Sequence, residues 1–157
     1  MLKKASSVLA MVIAMSASGM AAAADEVTYQ LDWLPGGDKA PVYTGIQQGF
    51  FAAEDLEVSI ASGRGSTDAI TKIATGQADI GSADIGALMA ARAQDTVPVS
   101  AVYMIFNQSP HEFFSLSDSG INNFADIAGK KVATSPFTSS NAFLPLVLQA
   151  NDMPADA

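Results

Sequence analysis

The chain has 157 residues, of which 49% are hydrophobic and 15% charged, a globular composition and not a disordered one. A formal net charge of -8 speaks against nucleic-acid binding, whose affinity comes from Lys and Arg neutralising phosphates. Cysteine is absent, which excludes disulfides, thiolate metal sites, a cysteine nucleophile and lipid attachment through an N-terminal cysteine. The single histidine, His111, rules out a His-rich metal site.

Lys3 and Lys4 precede the apolar run Val8–Met15, and Ala22-Ala23-Ala24 supplies small residues before Asp25-Glu26. A positive end, a short apolar core and an A-x-A site predict a secretory signal peptide over residues 1–24. The apolar run is well short of the ~20 residues of a membrane span. Cleavage removes two lysines and no acid, leaving a still more acidic chain. It is expected in the periplasm and not as a lipoprotein.

Strand and helix signals then alternate. Val27–Trp33 alternates and is β-rich, which predicts a strand, and Pro35-Gly36-Gly37-Asp38 is turn chemistry. Val42, Tyr43 and Ile46 fall at helical spacing between Pro41 and Gln48, with Gly49 as the stop. Leu56–Ile60 predicts a second strand, Ser62–Ser66 a loop, Thr67–Thr75 a helix closed by Gly76, and Ala78–Gly81 a third, short strand. Asp84 is a good N-cap for a helix carrying Ile85, Leu88 and Met89. Val97–Phe106 reads as a strand buried on both faces, His111–Leu116 and Lys131–Thr134 as further strands, and Asn141–Asn151 as a helix. The alternation predicts βαβ units and a parallel sheet, an α/β fold.

In open α/β sheets, ligands bind beyond the carboxyl ends of the strands. Four loops there carry chemistry. Asp32, Trp33 and Asp38 mark the first, where the sole tryptophan either stacks on a flat or cationic ligand or covers the core edge. Arg64, Gly65 and Ser66 mark the second. Backbone N–H groups at a helix start beside a guanidinium suit a carboxylate, sulfonate or phosphate, unless the loop is simply a solvated turn. Asp68 stands where a G-x-G-x-x-G would need its third glycine, and no Gly-Lys-Ser/Thr of a Walker loop is present there. Asp84 marks the third loop, as a helix cap or a ligand contact. Ser135, Phe137 and Thr138 mark the fourth, whose clustered hydroxyls exceed what capping uses. His111 is read as a structural histidine. No catalytic residue, metal or cofactor is predicted, and the expected partner is a small molecule.

At these loops the sequence resembles a known family. Leu31-Asp32-Trp33-Leu34-Pro35, Gly49-Phe50-Phe51 and Glu54-Asp55-Leu56-Glu57-Val58 resemble the opening of the NMT1/THI5-like (SsuA/THI5) solute-binding proteins. The likeness continues through Gly76–Gly81, Gly120-Ile121 and Asp126–Val132. The resemblance implies a periplasmic-binding-protein-like (type II) fold whose two lobes close on the ligand, and an ABC transporter permease in the inner membrane as partner. It places Asp32, Trp33, Asp84 and the Ser135–Thr138 loop on ligand-facing segments. The expected ligand is a thiamine-precursor pyrimidine or related heterocycle, with a taurine, alkanesulfonate or nitrate-type ligand as the alternative. Lys39 and Gln48 stand where many members have His and Lys. The family also holds an enzyme branch that makes the thiamine pyrimidine with a pyridoxal-phosphate lysine, a histidine and a Cys-rich motif. The first two positions are Ala83 and Ala87 here and no Cys exists, so no enzymatic activity is expected.

A two-lobed receptor needs two sheets. Residues 25–114 supply a first lobe, and residues 115–157 supply only the start of a second. The chain is therefore expected to be part of a longer receptor.

Overall fold

The computed structural model describes residues 23–94, 97–108 and 111–154, so the expected signal peptide lies almost wholly outside it. Strand β1 (Asp25–Gln30) is the middle of a parallel three-stranded sheet, flanked by β2 (Leu56–Ala61) and β3 (Ile80–Gly81). Asp25 pairs with Leu56, and Gln30 pairs with both Ala61 and Gly81, so the three strands end level. Parallel neighbours require crossovers. Helix α1 (Ala40–Gln47) supplies the first and helix α2 (Ser66–Ala74) the second. Helix α1 carries Pro41 in its first turn, where a missing N–H costs nothing, and Gly49 at φ 73° turns the chain out of it.

The core lies between the sheet and its helices. Leu31 is wholly buried where β1 ends, and Ala69 and Ile70 are the buried face of α2. Helix α3 (Ile85–Gln94) sets Ala87 and Leu88 against Ile70, and Ala91, Val97 and Val99 close that cluster. Helix α4 (Ser139–Ala150) packs on α3, and its Phe143 ring occupies the space that a Cβ at Gly86 would need. Among the described residues no helix is long and apolar enough to cross a membrane.

The chain is mixed α/β, as expected, but three expected strands do not form. Val97–Phe106, His111–Leu116 and Lys131–Thr134 are irregular wherever they are described. Val97 and Val99 reach the core, whereas Val102, Tyr103 and Phe114 are 80%, 86% and 96% exposed. The physical reason is that a strand is held by its neighbour's backbone. β-rich composition is a packing preference and supplies no ladder of its own, and no described strand pairs with these segments. The other corrections are small: β1 stops at Gln30, before Leu31–Trp33 leave the sheet, and α4 starts at Ser139.

Candidate functional site

Gln30 shapes the carboxyl end of the sheet. Its buried side-chain amide donates to the carbonyls of Leu31 (2.8 Å), Ser62 (3.0 Å) and Ala61 (3.3 Å), tying the ends of β1 and β2 together. The two loops that leave those strands then cross with their backbones touching. Gly63 N–H donates to the Trp33 carbonyl at 3.1 Å, and a Cβ at Gly63 would overlap the Leu31 carbonyl.

A charged cluster sits on this crossing. Ser82 Oγ, just past β3, accepts from Asp32 N–H at 3.3 Å and donates to Asp32 Oδ1 at 3.0 Å. Lys39 Nζ lies 2.5 Å from the same Oδ1 and 2.6 Å from Asp38 Oδ2, with its side chain almost fully buried. Burial alone would lower the Lys39 pKa, but its hydrogen bonds to the two carboxylates outweigh burial and raise it above the ordinary lysine value. The same contact holds the Asp38 carboxyl below its ordinary range. Trp33, next in the chain to Asp32, is 42% exposed.

A second cluster begins two residues after Ser82. Asp84 Oδ1 accepts from the N–H groups of Gly86 (2.8 Å) and Ala87 (3.2 Å), the expected cap of α3. Asp84 N–H donates to Ser66 Oγ at 3.0 Å, so the hydroxyl that opens α2 is spent on joining the two helix starts. Asp84 Oδ2 lies 3.1 Å from His111 Nε2, which is also 3.0 Å from Ser139 Oγ at the start of α4. Both partners meet one ring nitrogen. That nitrogen donates to Asp84 when protonated and accepts from Ser139 when not. A nucleophile relay instead places serine and carboxylate on opposite nitrogens.

The Arg64 loop is filled from the protein itself. Thr67 N–H in the first turn of α2 donates to the Phe137 carbonyl at 3.2 Å. Gly65, at φ 149°, lets that carbonyl approach so closely that any Cβ would overlap it. The Arg64 guanidinium pairs with the buried Asp68 at 2.7 Å and lies over the Phe137 ring at 4.9 Å. Lys72 stands 3.0 Å from the other Asp68 oxygen, and Asp68 is held below its ordinary pKa first by the Arg64 hydrogen bond. In the fourth loop, Thr138 Oγ1 and Asn141 Nδ2 both donate to the Ser135 carbonyl, at 2.9 and 2.7 Å.

The structure thus brings Asp32, Trp33 and Asp38 together at one strand end, and joins Ser66 to Asp84 beside it. Arg64 and Gly65 meet Phe137 and the loop that holds Ser135 and Thr138. Sequence reasoning missed Gln30, placed Ser82 and Ser139 in candidate loops without giving either a role of its own, and gave His111 only a structural role. A lone histidine far from its partners in the chain carries no local signal. Among the described residues no group of three metal-ligating side chains gathers.

A parallel α/β sheet with polar loops converging at its carboxyl edge is the architecture of a small-molecule site. The chain belongs to the NMT1/THI5-like family, whose model matches residues 37–157. It is 29% identical over 113 residues to a 4-amino-5-hydroxymethyl-2-methylpyrimidine phosphate synthase of Legionella pneumophila, covering 72% of this chain and 35% of that one. The synthase of Schizosaccharomyces pombe is 26% identical, covering 69% of this chain and 31% of that one. A formylaminopyrimidine-binding protein of Halalkalibacterium halodurans is 27% identical over 128 residues, covering 82% and 38%. The chain spans about a third of the length of these curated relatives. No solved structure matches it.

The synthases overturn one expectation. Ala83, Ala87 and the absence of Cys argue for no enzymatic activity, yet several relatives are named as enzymes. Two alanines speak to one cofactor at one place, not to catalysis as a whole. They do bear on that cofactor. Pyridoxal phosphate needs a free amine. Ala83 supplies none, and Lys39, the lysine seated at this strand end, is a protonated ammonium locked between two carboxylates. The residues at this strand end offer pyridoxal phosphate no free amine.

Proposed function

We propose that this chain carries the sheet-edge half of a site for a small, flat aminopyrimidine, as part of a solute-binding protein of an ABC importer. The observation that carries the reading is the convergence of Asp32, Trp33, Ser82 and Asp84 at the level ends of three parallel strands. The formylaminopyrimidine-binding relative supports the ligand class. A sulfonate or nitrate is less well matched. The α2 N-terminus already holds the Phe137 carbonyl, and Arg64 is already paired with Asp68. In this reading residues 25–114 form the first lobe of a type II fold and residues 115–157 begin the second. Residues 1–24 direct export to the periplasm, where an inner-membrane permease is the partner. A second reading, a portion of a pyrimidine phosphate synthase, is favoured by the names of the enzyme relatives.

Titration of the purified chain with 4-amino-5-hydroxymethyl-2-methylpyrimidine, followed by Trp33 fluorescence, tests the ligand. Saturable quenching is expected, with no response to taurine. Saturation by taurine in calorimetry that vanishes in Arg64→Ala but survives Trp33→Ala would overturn the ligand class. Recovering the pyrimidine unchanged supports capture, whereas formation of its phosphate when no pyrimidine is added supports the synthase reading.

A further inference from the structure

The most informative unused groups are on Lys39 and Asp32. The Lys39 ammonium has three N–H donors. One serves Asp32 Oδ1 and one serves Asp38 Oδ2, while the third has no acceptor among the described residues. Asp32 Oδ1 is saturated by Lys39 and Ser82, while Asp32 Oδ2 has no donor among them. One open donor and one open acceptor therefore lie side by side across a 2.5 Å ion pair, one residue before the half-exposed Trp33. Asp38 and Ser82 hold both side chains in place, so the pair meets a ligand already ordered.

We propose that Lys39 and Asp32 together read the amidine-like edge of a 4-aminopyrimidine, and that Lys39 is its specificity-determining residue. This rests on the pyrimidine reading above and adds the recognition chemistry. A 4-aminopyrimidine presents an exocyclic amine, a donor, directly beside a ring nitrogen, an acceptor. Asp32 Oδ2 accepts from the amine, and the third Lys39 N–H donates to the ring nitrogen. Both bonds are charge-assisted, and two parallel bonds fix the ring's orientation as well as its affinity. A ligand lacking the amine leaves Asp32 Oδ2 unmatched. A sulfonate brings acceptors only and is repelled by Asp32.

The test uses the full chain and two probes, 4-amino-2-methylpyrimidine and 2-methylpyrimidine, measured by calorimetry. Wild type is expected to prefer the amino probe by about 10- to 100-fold, the range of a hydrogen bond to a charged group. Asp32→Asn should erase that preference. Lys39→Met should weaken both probes by about tenfold or more, because each keeps the ring nitrogen. Lys39→Arg, which keeps a cationic donor, guards against a variant that simply fails to fold and should retain binding of both probes. If wild type binds neither probe, the pyrimidine reading fails together with this inference. If wild type binds both equally, or Asp32→Asn keeps the preference, the inference alone is overturned.

Discussion

Between Asp25 and Gln94 the chain forms three strands, three α-helices and two 3-10 turns, whereas the described residues from Val97 to Pro154 form one 3-10 turn and one α-helix. The two regions do not differ in the apolar residues they offer. The first buries Leu31, Ala69, Ile70, Ala78, Ala87 and Leu88, while the second buries Ile127 and Leu148 and leaves the run Val102–Phe106 with Phe114 and Leu116 more than half exposed. The difference is pairing. β1 has a strand on each side, and the later segments have none among the described residues. A β-rich sequence thus becomes a strand only where a backbone partner is present to receive it.

The largest expected effect sharpens this contrast. Leu31→Ala empties a wholly buried position at the strand end and is expected to cost about 2–5 kcal/mol. Leu116→Ala, at a position 77% exposed, should stay within about 0.5 kcal/mol. Urea unfolding of the two variants reads the difference directly, and equal losses would break the comparison. Next comes Gly65→Ala, which sets a Cβ against the Phe137 backbone at a φ that L-residues avoid. A loss of roughly 2–4 kcal/mol is expected, with faster hydrogen exchange at Thr67 as the Phe137 carbonyl moves away. Unchanged stability would show that the two regions are not joined there.

The smallest effect is electrostatic. Asp38 and Asp68 are held below their ordinary 3.8 by hydrogen bonds from Lys39 and Arg64 respectively. A lowered carboxyl stabilises the fold fully above the unfolded value, and that contribution fades as pH falls through the folded one. Lys39, raised above 10.5, contributes fully below that value and loses its contribution as pH climbs past its folded pKa. Melting temperature should therefore stay level, as far as these groups go, from about pH 4 to pH 10 and fall on either side. A drop between pH 8 and pH 5 would show that other groups govern the pH response.

What was legible in the sequence was local. The Asp84 cap depends on N–H groups two and three residues away, and the residue type alone announces it. The α1 stop at Gly49 is legible for the same reason. Gln30 was illegible because its acceptors include Ala61 and Ser62, which only strand pairing brings near. His111 was illegible because Asp84 and Ser139 approach it from two separate helix starts. Arg64 was only half legible: its type and place suit an anion, but its pairing with the buried Asp68 one turn along the helix shows only in the structure.

The contact between Thr67 and the Phe137 carbonyl also sets an order of assembly. Its two ends are separated by nearly half the chain, so closing it costs more chain entropy than any crossover within the sheet. The sheet and its first two helices rest on nearer partners and gain nothing by waiting for it. The joint therefore belongs to the late steps of folding, when α2 already presents its first turn to the arriving loop. A contact made last, on a segment with few other ties, is also among the first to come undone. The Phe137 loop is then the movable side of this sheet edge, and the strand ends are its fixed side.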